Sequence, residues 1–161
     1  MQYNQVTAEL LQQFCEITGE QFVLTGKEST VTYARDYTED LVYYPDVVIK
    51  PGTTAEVAEL VKICAAANIP VTPRGAGTGL SGGALPVNGG VVLSLERFNR
   101  IIEIDERNFQ VTTEPGVVNE ALQNAVKEKG LFYPPDPASK GSCFLGGNIA
   151  HASGGPRALK Y

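Results

Sequence analysis

Three consecutive stretches near the middle of the chain constrain the fold most: DVVIKP (residues 46–51), TTAEVAELVKICAAAN (53–68) and IPVTPRG (69–75). An apolar run, an amphipathic helical segment and a second apolar run make a strand–helix–strand unit, whose two strands must be parallel. Val57, Leu60, Val61 and Cys64 are the expected apolar face of that helix. Thr53 and Glu56 have the spacing of a capping box, in which each side chain satisfies an orphan amide at the helix start. GGVVLSLE (89–96) reads as a third strand.

Upstream, TAELLQQFCEIT places Leu10, Leu11, Phe14 and Ile17 at helical spacing, with Thr7 as N-cap and Gly19 as stop. QFVLTG reads as a short strand, and residues 28–46 as an irregular, aromatic surface loop. Beyond Asn99 the pattern changes. IIEIDERNFQVTTEPG alternates about a polar turn at residues 105–108 and reads as a β-hairpin. VNEALQNAVKEKG reads as a helix with Val118, Ala121, Leu122, Ala125 and Val126 inward and Gly130 at its end. Residues 131–161 are rich in Gly, Pro and Ser and read as irregular, a length uncommon in a compact domain unless it is functional or disordered. The boundary expected from this change divides the chain into residues 1–99 and 100–161.

The 161 residues suffice for one ordinary domain with a core. A net charge of -5 excludes a nucleic-acid partner, which requires a basic face. The N-terminal residues lack a basic segment followed by an apolar one, and no apolar run reaches bilayer length, so the expected location is cytoplasmic, with no membrane span. Cys15, Cys64 and Cys143 are too dispersed, and His151 too isolated, for a metal site or a disulfide framework. Cys15 and Cys64 fall on apolar helical stripes and are expected to be buried thiols. His151 is expected to be structural or solvent-facing.

PRGAGTGLSGG (residues 73–83) holds five glycines and one charge. It is not a Walker A loop, because no lysine follows to reach phosphate. Gly77, Gly79 and Gly82 do match GxGxxG, with a strand before them and Glu96 at the distance of a ribose-binding acid. That fingerprint, however, needs a helix at its third glycine, and GALPVNGG cannot supply one. Two readings stay open. One is a loop between two strands whose consecutive amides make an anion-binding nest; the plainer one is a flexible surface turn. Arg74, Thr78 and Ser81 among the glycines favour the nest.

Four motifs in order, PRGAGTGLSGG, EPGV (114–117), PPDPAS (134–139) and GGNIAHASGG (146–155), resemble the FAD-binding domain of p-cresol methylhydroxylase-type flavoproteins. The resemblance covers residues 47–160 and is nearest to the branch of glycolate oxidase FAD subunits and D-lactate or D-2-hydroxyglutarate dehydrogenases. It implies an α+β fold of two subdomains, the first with a small parallel sheet and the second mainly antiparallel, with FAD between them. It also implies that Arg74, Gly75, Ala76, Gly77, Thr78, Gly79, Leu80 and Ser81 form a pyrophosphate loop. Pro135, Asp136 and Ser139 would lie along the cofactor, and Gly146, Gly147, Asn148, Ala152, Gly154 and Gly155 would approach the flavin. Ala76 stands where the family usually has glycine, and would be strained if that position required a positive φ. The loop has no histidine, so the FAD is expected to be non-covalent.

The implied activity is oxidation of a small D-2-hydroxy acid by hydride transfer to flavin, with the substrate held by a later domain beyond Tyr161. No catalytic or metal-binding residue is assigned within the chain. A homo-oligomer or a separate electron-transfer subunit is left open as partner. The alternatives are a truncated fragment that folds but binds no flavin, and a reductase sharing the same FAD domain.

Overall fold

The structure, a computed structural model, describes residues 3–161; Met1 and Gln2, which open the stretch tested above for a leader, lie outside the described residues. The chain is α+β and divides into two compact units, Met1–Arg97 and Phe98–Tyr161.

The first unit is built on a four-stranded sheet in the order β1-β2-β4-β3. Strand β2 (Val47–Ile49) and strand β3 (Val71–Arg74) are the two strands of the expected unit. They are parallel but not adjacent: β4 (Val91–Ser94) lies between them, parallel to both, with Val92 opposite Val48 on one side and Thr72 on the other. Strand β1 (Val23–Thr25) adds an antiparallel edge beside β2. Val47, Ile49, Val91 and Leu93 share one face and pack with Phe14 of helix α1 (Ala8–Thr18) and with Leu60 and Cys64 of helix α3 (Thr54–Ala66). Val48 and Val92, on the other face, are equally buried. Both faces of the central strands are therefore dry, as parallel strands require.

The helix ends follow their sequence signals. Thr7 Oγ1 accepts from Leu10 N–H, and Gly19 terminates α1 at φ 92°. In α3, Thr53 Oγ1 accepts from Glu56 N–H at 3.2 Å, while the Glu56 carboxylate accepts from the amide of Gly52 at 2.8 Å, one residue earlier than a standard box. Three expectations are corrected here. Val61 is 43% exposed, because the buried line of α3 runs through Leu60 and Cys64, and Val61 lies about 100° round the helix from Leu60. Cys15 is only half-buried, whereas Cys64 is buried, and burial pushes its thiol up to about 11. The stretch read as an irregular loop begins with a short helix α2 (Lys27–Thr30) and a 3-10 turn (Val31–Tyr33).

The second unit opens with the expected hairpin, β5 (Ile101–Asp105) against β6 (Gln110–Thr113), with a bulge between Ile101 and Glu103. Asp105 Oδ1 accepts from the amides of Arg107 and Asn108, which closes the turn. At the open end Glu114 accepts from the Arg100 amide at 2.8 Å and pairs with its guanidinium at 2.7 Å. Helix α4 (Asn119–Lys127) buries Leu122 and Val126 against Val117 and Leu145, flanked by Ile104, Val111 and Leu131. Ala121 is exposed, not inward as expected, and Asn119 takes a fully buried place on that face. The remainder, expected to be irregular, contains helix α5 (Leu145–Ala150) and a 3-10 turn (Pro156–Leu159). Six residues with two glycines present no periodicity, which is why α5 is invisible to pattern.

Replacing Leu60 with Ala should cost about 2–5 kcal/mol by leaving a cavity, whereas Val61→Ala should stay within about 1 kcal/mol; urea denaturation of both variants checks this contrast. The Arg100 side chain, then its amide, hold the Glu114 carboxyl below its ordinary value of 4.5. Its stabilising contribution is complete above that value and drains away as pH falls through the lowered pKa. Glu114→Gln should therefore have a lower Tm than wild type at neutral pH, with the gap closing below about pH 4.5 in a melting series.

Candidate functional site

Two groups of candidate residues are brought together, one in each unit. In the first, β3 ends at Arg74, and residues 75–90 carry the chain back to start β4 alongside it. A parallel return needs a dozen or more residues and usually contains a helix. This one contains none, so its amides have no intrahelical carbonyls to reach. Among the described residues, the N–H groups of residues 76–81 donate to no acceptor, nor do the hydroxyls of Thr78 and Ser81. Gly75, Ala76, Gly77, Thr78 and Gly79 are nonetheless half-buried, while Leu80 and Ser81 are exposed. A row of half-buried, unpaired donors is what an anion nest presents.

Gly77 has φ 71°, and a Cβ there would collide with the Arg74 guanidinium, so the close approach requires glycine. Ala76 is not among the residues with positive φ, so its methyl is unstrained and the departure from the family pattern costs nothing locally. Arg74 itself is 6% exposed. Its terminal nitrogens donate to the carbonyls of Arg35 (2.7 Å), Thr32 (3.0 Å), Ala84 (3.4 Å) and Tyr33 (3.5 Å). Burial draws the guanidinium pKa down, and the charge of Asp36 opposes that.

Beside it, at the carboxyl ends of β2 and β4, lies a polar cluster that includes Glu96. Lys50 Nζ stands 2.6 Å from Glu96 Oε1, and the Tyr33 and Ser94 hydroxyls donate to Oε2 at 3.0 and 3.2 Å. Burial pushes the Glu96 carboxyl up, but hydrogen bonds from Lys50 and Tyr33 outweigh it and hold the carboxyl below its ordinary value. Burial likewise raises the Tyr33 phenol. Glu96 is therefore committed to neighbours within the unit.

In the second unit, residues 134–139 run beside residues 153–157. The Asp136 amide donates to Gly154 O at 2.9 Å, and its carboxylate meets Lys140 at 2.9 Å and Arg157 at 3.4 Å. The hydrogen bond from Lys140 leads in holding that carboxyl below its usual range. Pro135 O accepts from Gln123 at 2.8 Å and Asn119 at 3.2 Å. Ser139 O accepts the amides of Ser142 and Cys143. Asn148, buried, donates to Asn119 Oδ1 at 3.1 Å and to Cys143 Sγ at 3.3 Å. Asn119 and Gln123 are thus site-shaping residues that sequence reasoning missed. The signal available was an amide on the otherwise apolar Asn119–Leu122–Val126 line.

The glycines of this group differ in what they avoid. A Cβ on Gly146 would press on Pro115, one on Gly154 on Ala158, and one on Gly155 on the Asp136 backbone. A Cβ on Gly147 would meet nothing within 4 Å, and its amide donates to no acceptor among the described residues. After α5, Ser153 N bonds Asn148 O and Ala152 N bonds Ile149 O, a Schellman turn that sets Ala152 at φ 50°. His151, exposed, is the C-cap of α5. The orphan amides of the glycine loop fit an anionic group, and the orphan amide beside the uncluttered Gly147 in the second unit fits a flat ring or its polar edge. Among the described residues no group of His, Cys, Asp and Glu could hold a metal ion, and no helix is long and apolar enough to cross a membrane.

Comparison with known proteins identifies the family. The chain is 40% identical over 156 residues to glycolate oxidase subunit GlcD of Bacillus subtilis (strain 168), a match covering 97% of this chain and 33% of that protein. It is 43% identical to the D-lactate dehydrogenase of Anaerostipes hadrus, covering 99% of this chain and 34% of that one. It therefore spans about a third of the length of these curated relatives. Among solved structures, alkyldihydroxyacetonephosphate synthase superposes with a TM-score of 0.87 at 21% identity, over all of this chain and 32% of the other. The structure of p-cresol methylhydroxylase with substrate bound gives 0.70 at 28% identity, over 81% of this chain and 27% of that one. The profile of the FAD binding domain matches residues 45–161. The chain belongs to the FAD binding domain family.

Proposed function

We propose that this chain is the FAD-holding portion of an oxidoreductase that oxidises a small D-2-hydroxy acid of the glycolate or lactate kind. The observation that carries the reading is the row of amides at residues 76–81, half-buried from Ala76 to Gly79, which together with the hydroxyls of Thr78 and Ser81 donate to no acceptor among the described residues. A pyrophosphate needs several donors at short range, and backbone dipoles supply them without a lysine. In the second unit Gly147 offers an open approach and an unpaired amide, suited to a flat ring or its polar edge. The Asn119–Asn148 pair holds α5 in place beneath that glycine. The substrate class rests on the glycolate oxidase and D-lactate dehydrogenase relatives.

When bound, FAD supplies the hydride-accepting chemistry. The chain's own part is to bind and orient it. We assign no residue here to the base or carboxylate clamp that the reaction also needs. The cofactor is held without a covalent bond: the glycine loop carries no histidine, and His151 is placed as a helix cap.

Titrating FAD into the purified chain should shift the visible flavin spectrum, and acid precipitation should leave the flavin in the supernatant. Flavin in the pellet would refute non-covalent binding, and an unchanged spectrum would refute the cofactor reading. Gly147→Ala separates folding from binding. A helical alanine meeting no neighbour should keep or raise stability by up to about 1 kcal/mol, yet weaken FAD binding by about ten-fold or more by blocking the close approach. Equal affinity in that variant would show that Gly147 does not face the cofactor.

A further inference from the structure

Residues 32–38 touch the glycine loop at its start, middle and end. At the start, Arg74 reaches back to the carbonyls of Thr32, Tyr33 and Arg35, and its guanidinium lies 5.5 Å from the centre of the Tyr33 ring. In the middle, the Tyr37 amide donates to Gly79 O at 3.1 Å. At the end, the Gly82 amide donates to Thr38 Oγ1 at 2.8 Å, and Ala84 O accepts from Arg74. The segment is itself anchored. Tyr33 donates to Glu96 and lies under Lys50 as well as Arg74, Ala34 is fully buried, and Asp36 Oδ1 accepts from the Thr38 amide.

We propose that residues 32–38 are a strap that fixes the amides of the glycine loop in their anion-facing arrangement, with Arg74 and Thr38 as positioning residues. A loop with so many glycines has a large conformational freedom to lose on binding, and fixing it in advance lowers that cost. The anchors fall on both sides of residues 76–81 and on Gly79 O, which leaves the N–H groups between them free. Arg74 is poorly placed to be a phosphate ligand. Both terminal nitrogens are engaged by carbonyls, the Asp36 carboxylate already serves as a counter-charge that favours the cation, and only the absence of a Cβ on Gly77 lets the loop lie over it. The role assigned to the loop rests on the cofactor reading above; the strap's grip on it does not.

The test uses Thr38→Val, which removes the bond to Gly82 without altering charge, and Arg74→Met. Chymotrypsin cleavage after Leu80, 76% exposed within the loop, reports local loosening in the ligand-free chain; cleavage after Phe109, 80% exposed in the other unit, is the internal control. Thr38→Val should speed cleavage after Leu80 by about five-fold, as expected for one lost hydrogen bond, leave cleavage after Phe109 unchanged, and weaken FAD binding by a similar factor. Arg74→Met should do more of both; if it does not fold by circular dichroism, Thr38→Val carries the test alone. Wild-type cleavage after Leu80 in Thr38→Val overturns the strap. Faster cleavage with undiminished FAD affinity overturns its role in the cradle. Lost affinity confined to Arg74→Met would make Arg74 a phosphate ligand and overturn its assignment. If the wild type takes up no FAD, the cofactor reading fails, while cleavage after Leu80 still decides the strap.

Discussion

Strand β4 is buried on both faces and hydrogen-bonded along both edges, and the first unit is arranged around it. Val91, Val92 and Leu93 are at most 5% exposed, and β2 and β3 run parallel to them on either side. Each buried aliphatic side chain contributes about 1.5–3 kcal/mol, so this short strand is where much of the unit's cohesion lies. The cost falls on the connections. Helix α3 must carry the chain past the place that β4 will fill. Residues 75–90 must then return it to that place without a helix of their own. Backbone that returns in this way leaves donors without carbonyls, and the chain keeps them near the surface, where water or a ligand can satisfy them. The amide-lined loop is thus a consequence of the strand order.

Charge in that region is largely spent on holding structure. Lys50 is taken by Glu96, Arg97 donates to Lys50 O at 2.8 Å, and Arg74 is taken by carbonyls. Of the cations there only Arg35, exposed beside Arg74, is left uncommitted among the described residues, and the whole chain carries -5. On the proposed reading, affinity for a phosphate would rest mainly on oriented dipoles, whose effect depends on geometry more than on ionic strength. Dipoles that drift are worth little, which is why the contacts from residues 32–38 matter more here than they would beside a lysine.

The sequence made the repetitive parts of this fold legible and left the singular ones obscure. The strand–helix–strand unit, the hairpin, and the caps at Thr7, Thr53 and Gly130 all rest on local signals of period or backbone preference. Strand order does not: nothing in residues 46–75 says that β4 will enter between β2 and β3. Helix α5 is held from outside, by Leu145 N to Val117 O and Gly146 N to Pro115 O, so it needs no pattern of its own. The glycine loop could be recognised by composition, but the partners of Arg74 lie some forty residues away in a stretch read as plain loop. For Ala76 the sequence posed a question of backbone conformation, and the answer is an ordinary negative φ.

The second unit shows how one residue type serves opposite ends at adjacent positions. Gly146 is required from within, because a methyl there would enter Pro115. Gly147 meets no such obstacle, and in a helix an unneeded glycine is destabilising relative to alanine. The local strain nearby has the same direction: Ala152 occupies a left-handed turn that glycine would adopt more easily. The turn survives because Asn148, whose carbonyl accepts the closing bond from Ser153, is fixed in turn by Asn119 and Cys143. Buried amide pairs of this kind hold only when each partner is satisfied. Stability here has been placed in the Asn119–Asn148 pair and withheld from the face that Gly147 leaves open, an arrangement that folding alone gives no reason to prefer and that close approach of a ligand does.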